Sequence, residues 1–188
     1  MRYTIRMNTE TKLRIAACAA GFALPRYHEI PDVGLYLDQT VQYVNGYFRT
    51  FCGVELTPSM VSNYVKKGLL SHPIRKKYGR EQIAYLMYIV VSKTVLSIEN
   101  IDTLFKMQRA HCSSETAYNS FCRELEDCIA FVFGRSTEMP ELTPDTDDEK
   151  FLLRSTILSI ANKIYLDCCF DALRQEQAFW PDILSDLA

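Results

Sequence analysis

The sequence predicts an all-α protein, and three observations carry that reading. Apolar residues recur at alternating steps of three and four through most of the chain. Ser, Thr, Pro and Gly stand where those stretches start and stop. Outside residues 71–80, where a short two-stranded hairpin is expected, no segment alternates apolar and polar residues as a half-buried strand would. With 188 residues, 48% of them hydrophobic, the chain can build a real core in one large domain or two small ones.

Taken in order, residues 1–23 read as an N-terminal extension with a short helix around Lys12 to Ala20. A loop bounded by Pro25 and Pro31 precedes a helix over residues 35–51. There Leu37, Val41, Val44, Phe48 and Phe51 face inward, and Asp38, Gln42, Asn45 and Arg49 face outward. A short turn containing Gly53 leads to a second helix capped by Thr57, with Pro58 at the first position, where a missing N–H is harmless. Met60, Val61, Tyr64 and Val65 share its inner side, while Ser59, Ser62, Asn63, Lys66 and Lys67 look away. Gly68 ends it, and Leu69 and Leu70 return to the core.

A mostly apolar helix is expected over residues 81–95, with Ile83, Leu86, Met87 and Val90 inward, broken at Leu96 and Ser97. Ser97 then caps a helix with Glu99 in its first turn and Ile98, Ile101, Leu104 and Phe105 as its stripe. Cys112, Ser113 and Ser114 open another, marked by Tyr118, Phe121, Cys122, Leu125, Ile129 and Val132 and ended at Gly134. Thr146 and Glu149 have capping-box spacing for a long helix reaching about Gln177, which Trp180 and Pro181 end. Its apolar positions, Phe151 to Leu173, cover most of its circumference. Such a helix must be buried by several neighbours or by another subunit, and we expect a homodimer.

The net charge of −2 conceals a division. Residues 1–109 carry 15 Lys/Arg against 8 Asp/Glu, and residues 110–188 carry 6 against 15. The front half can meet an anion. Between Leu56 and Arg80 lie six basic residues and no acidic one. Seven cysteines without a C-x-x-C read as thiols in a reducing cytoplasm. Adjacent Cys168 and Cys169 have a reading as a thiol sensor or soft-metal site and a plain one, as small core residues on an apolar helix, which is favoured. Residues 15–18 look like a lipoprotein cleavage box, but Asn8, Glu10, Lys12 and Arg14 stand where a signal needs apolar residues, and the longest apolar run, residues 83–91, is too short to span a bilayer. The expectation is a cytoplasmic protein without membrane contact.

Two helices joined by a short glycine-containing turn, the second with a polar basic face, match a helix-turn-helix over residues 35–70, followed by a short basic wing over 71–80. Residues 57–105 resemble the winged helix-turn-helix of the MerR family of bacterial transcription regulators. The likeness rests on Gly68-Leu69-Leu70 at the end of the recognition helix, on Pro73, Arg75 and Tyr78 in the wing, and on the segment from Leu96 to Ile101. Where that family carries an arginine before paired tyrosines, this chain has Ser62, Asn63 and Tyr64, and its wing is shorter. The wider span from Leu24 to about Met107, including residues 35–39 and 57–60, is similar to an uncharacterised family of Gram-positive bacteria, the domain of unknown function numbered 1836. These resemblances imply a MerR-like winged helix-turn-helix over residues 24–109; the charge division and the long apolar helix lead us to expect an acidic helical bundle over 110–188 that carries dimerisation.

The function expected is a DNA-binding transcription regulator. Lys66, Lys67, Arg75, Lys76, Lys77 and Arg80 would neutralise phosphates of double-stranded DNA, with Tyr78 of the wing beside them, and Ser59, Ser62 and Asn63 would reach base edges. The alternative is a helical protein–protein interaction module that has lost DNA binding. An enzyme is not expected, nor a cofactor. His28, His72 and His111 have no catalytic or metal spacing, and seven glycines in the whole chain include no phosphate loop. The sequence names no small-molecule effector.

Overall fold

From Gln82 to Ser92 the chain carries no charged residue, and a helix without a polar face has to be surrounded. The computed structural model, which describes residues 7–48, 55–138 and 148–178, places that stretch at the centre of a mostly helical fold. Among the described residues the order is α1 (Thr9–Cys18), β1 (Leu35–Tyr36), α2 (Leu37–Phe48), α3 (Pro58–Lys66), β2 (Lys77–Tyr78), α4 (Arg80–Ser92), α5 (Ile98–His111), α6 (Ser114–Val132) and α7 (Asp148–Ala178). Every residue of α4 from Gln82 to Ser92 is buried, well beyond the four-residue stripe expected. Helices α2, α6 and α7 pack around it. Aromatic rings lock it to the next two helices: Tyr85 lies 4.7 Å from Phe105, and Tyr88 stands 5.2 Å from Phe105 and 4.9 Å from Phe121, between ring centroids.

The expected caps are present. Thr57 accepts from the Met60 N–H, Ser97 from Asn100 and Ser113 from Thr116. Gly68 adopts φ +75°, and the Leu69 and Leu70 N–H groups both donate to the Tyr64 carbonyl, which closes α3 and turns the two leucines inward. The first helix begins earlier than its apolar pattern suggests, because Asn8 caps it by accepting from the Thr11 N–H at 2.7 Å. Helix α1 packs on α7 through Ile15, and Arg14 donates to Gln175, so this segment joins the same core as the rest.

Three expectations are corrected. The helix placed at residues 35–51 starts only at Leu37. Gly34, at φ +70°, redirects the chain; Leu35 and Tyr36 are extended, and the Thr40 hydroxyl donates to the Leu35 carbonyl while Gln39 accepts from the Tyr36 N–H. Those two residues pair antiparallel with β2, Leu35 opposite Tyr78 and Tyr36 opposite Lys77. The wing's own strands are reduced to a bridge between Ile74 and Lys77, so the small sheet borrows its remaining strand from the chain ahead of α2. Helix α4 ends at Ser92 rather than 95, where the Leu96 N–H closes onto the Ser92 carbonyl at 2.8 Å. Thr146, Phe51, Arg49, Cys52 and the tail from Trp180 lie outside the described residues.

Two polar clamps join parts distant in sequence. Asn45, read as outward-facing, bonds both backbone groups of buried Leu56 at 2.8 Å, donating to its carbonyl and accepting from its N–H, and so sets the angle between α2 and α3. Glu126 on α6 accepts from the Leu24 N–H and from both terminal nitrogens of Arg26, while Asn119 accepts from the Tyr27 N–H; together they strap residues 24–27 along α6. The six cysteines among the described residues form no disulfide; Cys122, Cys128, Cys168 and Cys169 are buried. Burial pushes the thiols of Cys122 and Cys128 up to about 11, which keeps them protonated at neutral pH.

Asn45→Ala leaves two buried backbone groups without partners. We expect a loss of about 2 kcal/mol, read as a melting temperature lower by roughly 4–8 °C. A second expectation concerns Glu124, whose carboxyl is lifted above the ordinary range by burial, with Arg154 3.8 Å away opposing the shift. A raised folded value means its contribution to stability is complete below the unfolded carboxylate range and is lost as pH rises through the folded value. Glu124→Gln should therefore gain melting temperature on the parent between pH 4 and pH 7, and an unchanged gap across that window would contradict the assignment.

Candidate nucleic-acid interface

The polar face of α3 is determined by its spacing. With Val61 and Tyr64 buried and Met60 and Val65 half-buried, Ser59, Ser62, Asn63, Lys66 and Lys67 are left exposed. The Ser62 hydroxyl donates back to the Pro58 carbonyl at 3.0 Å, so toward a ligand it presents its acceptor lone pairs. Lys67 has an acidic neighbour. The Glu99 carboxylate at the start of α5 is held below its ordinary range by bonds from its own backbone and from Ser97, and also by the Lys67 charge.

The wing is a tight hairpin. Ile74 and Lys77 exchange backbone bonds of 3.0 and 2.9 Å, and Arg75 and Lys76 form a two-residue loop with both side chains exposed. Lys77 is half-buried, with its ammonium 5.3 Å from the centroid of the Tyr36 ring.

Two residues expected at the interface are turned inward. Tyr78 is only 5% exposed and belongs to the core; its partner in the sheet, Leu35, fixes the side to which it points. Arg80 is half-buried: its Nε donates to the Ile30 carbonyl at 2.9 Å, its guanidinium stands 3.9 Å from Asp32 and lies over the Tyr27 ring. It anchors the loop before β1 and is withdrawn from a ligand. The surface therefore keeps Ser59, Ser62, Asn63 and Lys66 on α3, Lys67 at its C-cap, and Arg75, Lys76 and Lys77 on the wing.

Apolar neighbours of the wing escape a reading by periodicity. Val33 and Ile74 are each 78% exposed and Tyr36 52%. With Gly34, Arg75 and Lys77 they line an open groove of about 470 Å³. No pattern in the sequence brings residues 33–36 beside 74–77. The sheet register does.

A second feature lies inside the helices. Tyr85, Tyr88, Phe105, Tyr118 and Phe121 surround an apolar cavity of about 40 Å³, beside Ala84, Ala117 and Leu153. That volume admits about a few waters and no ligand of ordinary size. At its rim the Tyr85 hydroxyl accepts from Arg109 and meets Ser114 at 3.1 Å, and Ser114 donates to Glu81 at 2.5 Å.

Among the described residues no group of three His, Cys, Asp or Glu side chains is arranged to hold a metal ion, and no helix is long and apolar enough to cross a membrane. His28, His72 and His111 are all exposed.

Compared with known proteins, no curated sequence and no solved structure shows significant similarity to the chain. A family model does match, over residues 25–121, from the strap that Glu126 holds to Phe121 within α6. That span reaches beyond the end expected near residue 107, takes in the α2–α3 unit, the wing, α4 and α5, and leaves α1 and α7 outside. As it covers more than half of the chain, the protein belongs to the family described as domain of unknown function DUF1836.

Proposed function

We propose that this protein is a DNA-binding transcription regulator built on a winged helix-turn-helix of the MerR type, working as a homodimer. One observation carries the reading: a capped helix whose inner side is buried leaves Ser59, Ser62, Asn63 and Lys66 exposed together, and the chain that follows it ends in a hairpin tip of two exposed cations. Asn45 holds α3 at a defined angle to α2, as a recognition helix requires. Lys66, Lys67, Arg75, Lys76 and Lys77 bind phosphates and set the register, and Ser59, Ser62 and Asn63 read base edges in the major groove.

The dimer is supported by α7. Its buried side, including Ile157, Ile160, Ala161 and Ile164, faces α1 and α6, while Leu152, Leu166 and Phe170 are exposed, with Ser159 and Asn162 between them. A second copy laid along this face covers the apolar residues. Two-fold pairing gives two recognition helices for a pseudo-palindromic site, the common route to useful affinity. The same face serves the other reading, a helical interaction module that holds a protein partner and does not bind DNA.

A gel-shift series with random duplexes separates the two. We expect binding that weakens steeply with salt, and Lys66→Ala with Arg75→Ala should flatten the slope of log affinity against log salt by about 0.9 for each phosphate no longer neutralised. Ser62→Ala with Asn63→Ala should leave the slope and reduce discrimination between sequences. No duplex binding at low salt would leave the interaction module. By light scattering we expect twice 21.7 kDa, reduced to the monomer mass by Leu166→Glu with Phe170→Glu; a parent protein that is monomeric at all concentrations contradicts the dimer.

A further inference from the structure

The void among the aromatic rings of α4, α5 and α6 has a charged mouth. Protein interiors are close-packed and leave few gaps of this size. This one persists because Ala84 and Ala117 stand where longer apolar side chains would fill it. Glu81, which is exposed, and Gln108 and Ser114, which are half-buried, line its opening.

Two opposite charges meet at that opening without pairing. The Ser114 hydroxyl donates to one oxygen of Glu81 at 2.5 Å and lies 3.1 Å from the Tyr85 hydroxyl, which accepts from Arg109 Nε at 3.1 Å. The Arg109 guanidinium also lies over the Tyr85 ring, 4.9 Å from its centroid. A carboxylate and a guanidinium in direct contact would form a bidentate pair. Here two hydroxyls hold them apart. The second Glu81 oxygen and the terminal nitrogens of Arg109 bond to no described residue. A negative and a positive group thus stand at a set spacing over an apolar hole.

A simple cation entering this mouth is opposed by Arg109, and a simple anion by Glu81. A zwitterion satisfies both. The void of about 40 Å³ takes a short aliphatic group and is too small for an aromatic ring. We infer that the mouth binds a small aliphatic α-amino acid, of the size of valine. Its ammonium donates to the free oxygen of Glu81, its carboxylate accepts from the terminal nitrogens of Arg109, and its side chain fills the space between Ala84 and Ala117. The lining includes no residue of α3 or the wing, so the inference stands whether or not the protein binds DNA.

Calorimetric titration of the full chain tests this with L-valine, with isobutylamine and isovalerate, which are valine without its carboxylate and without its ammonium, and with glycine and L-phenylalanine. We expect valine to bind about tenfold or more tighter than either truncated analogue. It should also bind tighter than glycine, which leaves the void empty, and than phenylalanine, which overfills it. Glu81 and Arg109 are exposed, so their variants keep the fold. Arg109→Gln should erase the advantage of valine over isobutylamine, and Glu81→Gln its advantage over isovalerate. Ala117→Leu should fill the void and block valine without lowering the melting temperature. No binding of valine at about 10 mM overturns the inference. So do equal affinities for valine and its two truncated analogues, or rim variants that bind valine as the parent does.

Discussion

The burial of α4 on all sides is the constraint from which the remaining architecture follows. Eleven successive residues without charge can be accommodated only if other elements enclose them, and each buried aliphatic or aromatic side chain contributes on the order of 1.5–3 kcal/mol to doing so. Helix α7 packs on α4 from the far end of the chain and carries α1 with it. That is why α1 and α7, which lie outside the span matched by the family model, still share one hydrophobic cluster with α2, α3 and α5. The wing leads directly into α4, so its base inherits that rigidity through Tyr78, which is buried, and Gln82, whose amide donates to the Ser71 carbonyl and whose carbonyl accepts from the Gly79 N–H.

Rigidity at the base is what gives exposure at the tip its meaning. A flexible basic loop would be an ordinary solvated segment. In this protein the hairpin is pinned by strand pairing on one side, by Gln82 below and by the Lys77–Tyr36 stack, while the two cations beyond it are left without partners among the described residues. Arg80 shows the contrast. It is the last residue of the wing and has the same charge, yet its hydrogen bond to Ile30 and its proximity to Asp32 turn that charge back onto the fold. Sequence proximity does not decide which cations of a basic run are available; the partners supplied by the rest of the chain do.

The clamps work in the same sense on the other side. Glu126 gathers a backbone N–H and a bidentate guanidinium from residues 24–26, which anchors the chain entering β1 to α6 in the acidic half. Leu35 and Tyr36 then meet β2. A charge asymmetry that looks in the sequence like two separate halves is thus bridged by one carboxylate, and the acidic half steadies the segment on which the wing depends.

Much of this was legible in the residues themselves. Local signals act over three or four positions, and so the Thr57, Ser97 and Ser113 caps, the ends at Gly68 and Gly134, and the outward face of α3 could be read directly: a helix side chain's direction follows from spacing alone. Whatever depends on a partner far away in the chain was settled by packing instead. Asn45 looks like a surface residue until Leu56 is beside it, Leu35 and Tyr36 read as helix until β2 offers a strand to pair with, and Tyr78 and Arg80 read as interface until the core and Ile30 take them. Periodicity gives the direction a side chain faces within its own element, but the environment in that direction is set by long-range packing, and no local pattern records it.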